Sequence, residues 1–233
     1  MTLLKVRDVY KYYKLGSSKV KALSDINLDI EKGEIVVVLG PSGSGKTTLL
    51  NCLSGLDYVS QGKIYYNDLN IANYSDRKRT RFRKKNLGFI FQNYNLLEHI
   101  NVYENILIGA SLGKNKSGIE SIIKTVGLDK HKKKYMHELS GGEQQRVSIA
   151  RAIAKSPNVL FCDEPTGALD EKTGKKVLQT LIDVNEKLGT TMIIVTHNPG
   201  IALIGDRIIK MNSAKIVEDK KNKRVKPVDI PWG

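Results

Sequence analysis

Ile35-Val36-Val37-Val38-Leu39-Gly40-Pro41-Ser42-Gly43-Ser44-Gly45-Lys46-Thr47 decides the fold. Its opening run is apolar on both faces and too short for a helix, as a central strand of a parallel sheet must be. The residues that follow match the P-loop pattern, and an apolar helix begins near Thr47, so the motif stands between strand and helix, where its physics requires it. Glycines let the backbone curl until successive N–H groups converge on an anion, and the helix N-terminus adds partial positive charge. In such a cradle Lys46 reaches the outer phosphates of a nucleotide, and the Thr47 hydroxyl helps hold Mg²⁺. The expected nucleotide-binding stretch is Gly40, Pro41, Ser42, Gly43, Ser44, Gly45, Lys46, Thr47 and Thr48.

A phosphate cradle needs an acidic partner for its metal. Val159-Leu160-Phe161-Cys162-Asp163-Glu164 supplies a second buried strand running into two carboxylates. Asp163 is the expected Mg²⁺ ligand, acting through water. Glu164 is placed to polarise the attacking water, a role in which a positioned base contributes roughly 10²- to 10⁴-fold. A third apolar run, 192–195, follows Val177, Leu181, Val184 and Leu188 at helical spacing, so 158–196 reads as strand, helix, strand. That predicts a parallel α/β core. Alternating Leu4, Val6, Val9 and Ile26, Leu28, Ile30 predict half-buried strands of an antiparallel sheet near the N-terminus. Over 93–155 the pattern is mainly helical, with breaks at Gly113 and Gly127, which predicts a helical insertion in the core. There is no internal repeat of 20 to 50 residues.

Leu139-Ser140-Gly141-Gly142-Glu143-Gln144-Gln145-Arg146 contains a capping box, Ser140 with Glu143, at the start of a helix. A capped helix start with two glycines is also an anion site, offering N–H groups and the Ser140 hydroxyl to a phosphate. The chain already has one P-loop, so this second phosphate is assigned to another protomer's ATP.

The octapeptide resembles the signature motif of ABC ATPases, and the resemblance extends over 3–217. It implies an α/β fold: a RecA-like P-loop core, an antiparallel β subdomain and an inserted helical subdomain. The expected organisation is a single ATPase domain over 1–219, its helical subdomain at about 93–155, then a basic tail over 220–233, disordered or docked on a partner. Within the resemblance, Tyr13 is similar to the aromatic that stacks on adenine, with Tyr10 and Tyr12 close by as alternatives. Gln92, ending the apolar run 87–91, is similar to the Q-loop glutamine that senses Mg²⁺ and couples to membrane helices. His197 is similar to the switch histidine that contacts the γ-phosphate, and Ala168-Leu169-Asp170 resembles the D-loop, whose Asp170 crosses to the partner subunit. The implied catalytic residues are Glu164, His197 and Gln92, and the implied metal set is Thr47, Gln92 and Asp163. Ser140, Gly141, Gly142 and Asp170 complete the ATP site from the opposite subunit. The implied mechanism is a head-to-tail homodimer that closes on two ATP molecules and reopens on hydrolysis.

Composition sets the outer bounds. The 233 residues suit one compact domain, and 40% hydrophobic with 27% charged residues is ordinary globular composition. No apolar run approaches the roughly 18 residues needed to span a bilayer, and the N-terminus lacks a signal-peptide pattern. The expectation is a chain that is neither secreted nor membrane-spanning, with Cys52 and Cys162 as small buried thiols in a reducing cytosol. A net charge of +14 calls for a polyanionic neighbour: nucleotide, anionic lipid or nucleic acid. Its basic clusters at 77–85, 130–134 and 220–226 read as solvated surface, or as attraction to an anionic membrane leaflet.

Pro165-Thr166-Gly167-Ala168-Leu169-Asp170, Gln92-Asn93-Tyr94-Asn95-Leu96-Leu97 and Glu104-Asn105 resemble the branch of macrolide and antimicrobial-peptide exporters, lipoprotein-release ATPases and the cell-division ATPase FtsE. That branch implies a membrane permease with a large extracytoplasmic domain, room for a periplasmic or extracellular adaptor, and a peripheral place on the cytoplasmic face of the membrane. Efflux of antimicrobial peptides or macrolide-like compounds is the favoured role, with FtsE-like or lipoprotein-release mechanics as the alternative. A binding module that regulates a membrane partner without transport is a further rival. Nucleic acid is not an expected partner, because the relatives that maintain DNA insert long coiled coils that this interval is too short to hold. A translation factor of this type resembles two fused cassettes, and here there is one.

Overall fold

The structure, a computed structural model, describes residues 1–113 and 118–232. Two long strands, β1 (Thr2–Leu15) and β2 (Ser18–Glu31), form a hairpin and start an antiparallel sheet completed by β4 (Gln61–Tyr66) and β5 (Leu69–Asn70), in the order β2-β1-β4-β5. The alternation Leu4, Val6, Val9 that predicted β1 breaks its two-residue step before Val9. Val6 to Val9 is three residues, yet both are fully buried, because Asp8 takes φ +51° in a bulge that restores the inward face. Asp25, at φ +54°, does the same between Leu23 and Ile26. The bulge at Asp8 needs Gly62 opposite, where an added Cβ would fall 2.3 Å from the Asp8 carbonyl oxygen.

The second sheet has the order β10-β9-β3-β8-β7-β6, with β3 (Ile35–Leu39), β6 (Leu87–Ile90), β7 (Val159–Asp163), β8 (Thr191–Thr196) and β9 (Arg207–Asn212) parallel and β10 (Lys215–Lys221) antiparallel at one edge. Period-two alternation divides its side chains between two cores. Ile35, Val37, Leu160, Cys162, Met192 and Ile194 face the helices. Val36, Val38, Val159, Phe161, Ile193 and Val195 face the first sheet, with helix α1 (Lys46–Leu53) in the same layer. Both faces of the runs 35–39, 159–162 and 192–195 are therefore covered, which is why the sequence shows them apolar throughout.

Helix α2 (Asp76–Asn86) precedes β6, and α3 (Val102–Ser111), α4 (Ile119–Thr125) and α5 (Gly141–Ile153) make up the helical insertion. Short 3₁₀ turns at Asp129–His131 and Met136–Glu138 join α4 to α5. Helices α3 and α5 pack closely at Gly109, where a Cβ would lie 2.1 Å from the Arg151 carbonyl oxygen. Helix α6 (Glu171–Leu188) connects β7 to β8 and buries Val177, Leu181 and Val184; Leu188, on the same helical spacing, is exposed at its last turn. Helix α7 (Pro199–Ala202) follows β8.

The expected basic tail behaves otherwise. β10 runs through the predicted boundary to Lys221, and the chain then docks on its own body, with a 3₁₀ turn at Pro227–Asp229, Ile230 buried and Trp232 against Gly174. The interleaved apolar residues Val225, Ile230 and Trp232, which the lysines obscure in the sequence, drive this docking.

Candidate nucleotide site

β3 delivers the loop 40–45 to the first turn of α1. Gly43 at φ +77° and Gly45 at φ +101° curl the backbone, and at Gly45 an added Cβ would also fall 2.5 Å from the Ala22 carbonyl oxygen. No side chain caps α1, and no acidic residue stands in its first turn, so its N-terminal amides face the loop without a side-chain competitor. Lys46, 7% exposed, donates to the carbonyl oxygens of Gly40 and Pro41, both at 2.8 Å, which centres its ammonium over the loop. The Ser44 hydroxyl is buried with no hydrogen-bond partner among the described residues. A curled loop, a centred cation and an orphaned hydroxyl fit the phosphates of a nucleotide.

The carboxylates meet this loop from β7. The Thr47 hydroxyl and Asp163 Oδ1 are 3.4 Å apart, which brings together two of the three expected metal-site residues. Burial, and next the Glu164 charge, push the Asp163 carboxyl up, against the opposing pull of Thr47 and Lys46. A divalent cation beside it would relieve that cost, so the donor set suits Mg²⁺. Glu164 adopts φ +48°. Its Oε1 is 2.8 Å from His197 Nδ1, and its Oε2 accepts from Thr196 Oγ1 at 3.2 Å. Gln92, just beyond β6, lies beside the same loop: a Cβ at Gly167 would meet Gln92 Nε2 at 3.0 Å and Glu164 Cβ at 3.5 Å. One chain thus gathers Gly40 to Thr48, Gln92, Asp163, Glu164 and His197 at the carboxyl ends of adjacent strands, where open α/β sheets bind ligands.

Ser140, Gly141, Gly142 and Asp170 lie elsewhere. Ser140 caps α5 in a reciprocal box with Glu143, and Asp170 caps α6 by accepting from the Thr173 N–H at 3.0 Å. The two helix starts touch, since a Cβ at Gly142 would lie 2.1 Å from Thr173 Cγ2. Among the described residues, no hydrogen bond or ion pair joins 140–142 to 40–48. Tyr13 is 38% exposed near α1, its hydroxyl donating to Asp57 at 2.7 Å and Lys11 Nζ sitting 4.8 Å over its ring. Burial and the Asp57 contact push the phenol up to about 12. Tyr10 and Tyr12 stack on each other, 6.3 Å between ring centres.

Four residues at the site escaped sequence reasoning. Thr196, which bonds Glu164, carries the one available signal, a hydroxyl closing an apolar run. Lys11 and Asp57, 2.6 Å apart beneath Tyr13, carry none. Gln145 joins the signature helix to the carboxylate loop by donating to the Pro165 carbonyl at 2.7 Å.

A family model described as ABC transporter matches residues 23–167. The chain belongs to the ABC transporter ATP-binding family. A protein of Mycoplasma genitalium, MG065, is 45% identical to this cassette over 234 residues, covering 99% of this chain and 50% of that one. The cassette therefore spans about half the length of that relative, and likewise of its Mycoplasma pneumoniae homologue. The bacitracin export ATP-binding protein BceA of Halalkalibacterium halodurans is 42% identical over 221 residues, covering 93% of this chain and 87% of BceA. Among solved structures, the dimeric post-hydrolysis state of the ATP-binding cassette MJ0796, a protein of Methanocaldococcus jannaschii, bound to ADP and Pi, superposes with TM-score 0.85 at 34% identity. It covers 96% of this chain and 100% of that one. The RecA-like core, antiparallel sheet and helical insertion are those of an ABC ATPase.

Proposed function

We propose that this cassette binds and hydrolyses ATP as half of a head-to-tail homodimer, and that the cycle drives a separate membrane permease. The observation that carries the reading is Glu164: beside the P-loop and Asp163, its carboxylate is aimed by His197 and Thr196. So held, it accepts a proton from the water that attacks the terminal phosphorus, giving ADP and phosphate. Thr47, Asp163 and Gln92 would hold Mg²⁺, which supplies charge neutralisation on the phosphate oxygens. Lys46 and the loop amides orient the phosphates, and Tyr13 offers its exposed ring to the base. Ser140 to Gly142 and Asp170, apart from the P-loop within one chain, would complete the site of a second copy, and the dimeric structure of MJ0796 supports the pairing of two cassettes.

A cavity of about 600 Å³ lined by Asn93, Tyr94, Leu96, His99, Met136 and Gln144 adjoins Gln92 and suits a segment of the permease. Similarity to a bacitracin export protein favours efflux of antimicrobial peptides or macrolide-like compounds, with the cassette peripheral on the cytoplasmic face of the membrane. No helix among the described residues is long and apolar enough to cross a membrane.

The test is to tag the Glu164→Gln chain in its native host, solubilise membranes with ATP present and identify what co-purifies. A polytopic protein with a large external domain supports the reading, whereas DNA or ribosomes without one overturn it.

A further inference from the structure

Residues 222–232 form a strap that ATP binding and hydrolysis, as proposed above, leave unused. Asn222 Nδ2 donates to the carbonyl oxygens of Leu203 and Gly205 at 3.1 and 2.7 Å, and Arg224 forks onto both oxygens of Asp206 at 2.6 Å. The Val225 N–H donates to the Leu203 carbonyl at 2.9 Å. These contacts tie the strap to the end of α7. Further on it crosses to α6, where Lys175 Nζ donates to the Val228 carbonyl at 3.2 Å and Ile230 is 2% exposed in the core. The Pro231 carbonyl then lies over Gly200, where a Cβ would fall 1.7 Å from its oxygen. The Trp232 ring fills the notch left by Gly174, where a Cβ would meet Cη2 at 2.1 Å and Cζ2 at 2.6 Å.

What the strap joins matters more than that it packs. Gly174 stands one helical turn after Asp170, the residue that caps α6, and the Gly174 N–H donates to the Asp170 carbonyl at 2.7 Å. Gly200 stands three residues after His197, and its N–H is held by the Asn198 side chain at 2.8 Å. Pro231 and Trp232, adjacent in sequence, thus rest on the first turns of two helices capped by Asp170 and by Asn198, the residue that follows His197. Two glycines make room for them. A larger residue at either position would push the strap off.

We propose that Trp232 is a positioning residue for ATP hydrolysis: seated on Gly174 with Pro231 on Gly200, it fixes the first turn of α6 relative to α7 and so sets Asp170 and His197 together. The inference rests on the ATPase reading above. Small misplacements of positioned groups are costly in rate, whereas uniform binding of ATP through the P-loop is untouched by them.

Trp232 is the chain's one tryptophan, so its emission reports the strap directly. In the wild-type chain the emission maximum is expected to lie to the blue of that of Gly174→Ala, whose tryptophan is unseated toward water. In the otherwise wild-type chain, Trp232→Ala is expected to lower kcat on the order of tenfold with KM for ATP within about twofold, and Trp232→Phe to restore most of the rate. Gly174→Ala, which keeps the tryptophan but unseats it, is expected to lower kcat similarly, with the double variant no worse than either single one. Where Trp232→Ala does not fold, Gly174→Ala decides by the same measure. A wild-type chain that releases phosphate alongside a folded variant whose kcat is unchanged overturns the positioning role. A wild-type chain that releases none overturns the ATPase reading and this inference with it.

Discussion

Glu164 occupies a backbone region that residues other than glycine rarely adopt, at a cost of about 1–3 kcal/mol. Its N–H donates to Val195 and its carbonyl accepts from Gly167, so the surrounding sheet and loop hold the strained turn. Removing its charge while keeping its shape separates chemistry from binding. Glu164→Gln is expected to slow phosphate release by roughly 10²- to 10⁴-fold and to accumulate an ATP-bound dimer, visible as a nucleotide-dependent shift in size-exclusion chromatography. Wild-type turnover by this variant would remove Glu164 from the role of base. Lys46→Ala is expected to weaken nucleotide binding about tenfold or more, read by titrating a fluorescent ATP analogue, because the Lys46 ammonium is the cation held over the Gly40 and Pro41 carbonyls of the loop. At the other extreme, burial pushes the Cys52 thiol up to about 12 and the Cys162 thiol up as well, so neither is a thiolate near neutral pH.

Helix starts are the elements on which the proposed dimer depends. α5 opens with Ser140 and Glu143 bonded reciprocally, Glu143 Oε2 accepting from the Ser140 N–H at 2.8 Å and from its hydroxyl at 2.7 Å. Ser140→Arg removes the cap, costing about 1 kcal/mol, and places a cation and bulk where a second copy's phosphate is proposed to sit. The expected result is loss of the ATP-dependent dimer in the Glu164→Gln background with a thermal midpoint only slightly lowered. An undiminished dimer would show that this helix start is not part of the interface. Helix α2 makes a different point. Its residues read as a basic cluster, yet Phe82 packs edge-on against Tyr66 at 4.9 Å and Tyr74 at 6.2 Å, and Arg79 lies 3.4 Å over the Tyr58 ring. Arg83, Lys84 and Lys85 fall in its last turn, where cations oppose the helix dipole. With one buried apolar residue in the segment, Phe82, the sequence offers no amphipathic period, and the partners that select the helix come from other elements.

Acid stability belongs to the whole molecule. Hydrogen bonds from Arg7 at 2.7 and 2.9 Å hold the Asp29 carboxyl below its ordinary value of 3.8 and tie β1 to β2. A folded value below the unfolded one means that this stabilisation is complete above 3.8 and is lost as the pH falls through the folded value. Denaturant midpoints are therefore expected to decline below about pH 4, and Asp29→Asn to flatten that decline; an unaltered pH profile in the variant would remove this pair from the account.

The sequence alone determined what is contiguous. The strand, loop and helix of 35–47, the carboxylates closing 159–164 and the capped glycines at 140–142 are each written in neighbouring residues, because local backbone geometry and strand periodicity act within a few positions. The parallel core and the existence of a helical insertion follow from the same patterns. Tertiary structure decided which remote segments meet: Thr47 with Asp163, Glu164 with His197 and Thr196, Tyr13 with Asp57, and Trp232 with Gly174. It also decided that β3 lies between β9 and β8, and that bulges at Asp8 and Asp25 rescue a broken alternation. An apolar pattern states that a face is buried but not what covers it. Choosing the cover is a matter of shape and close approach among segments far apart in the chain, as at Gly62, Gly109, Gly174 and Gly200, where the absence of a side chain gains meaning only from what lies against it.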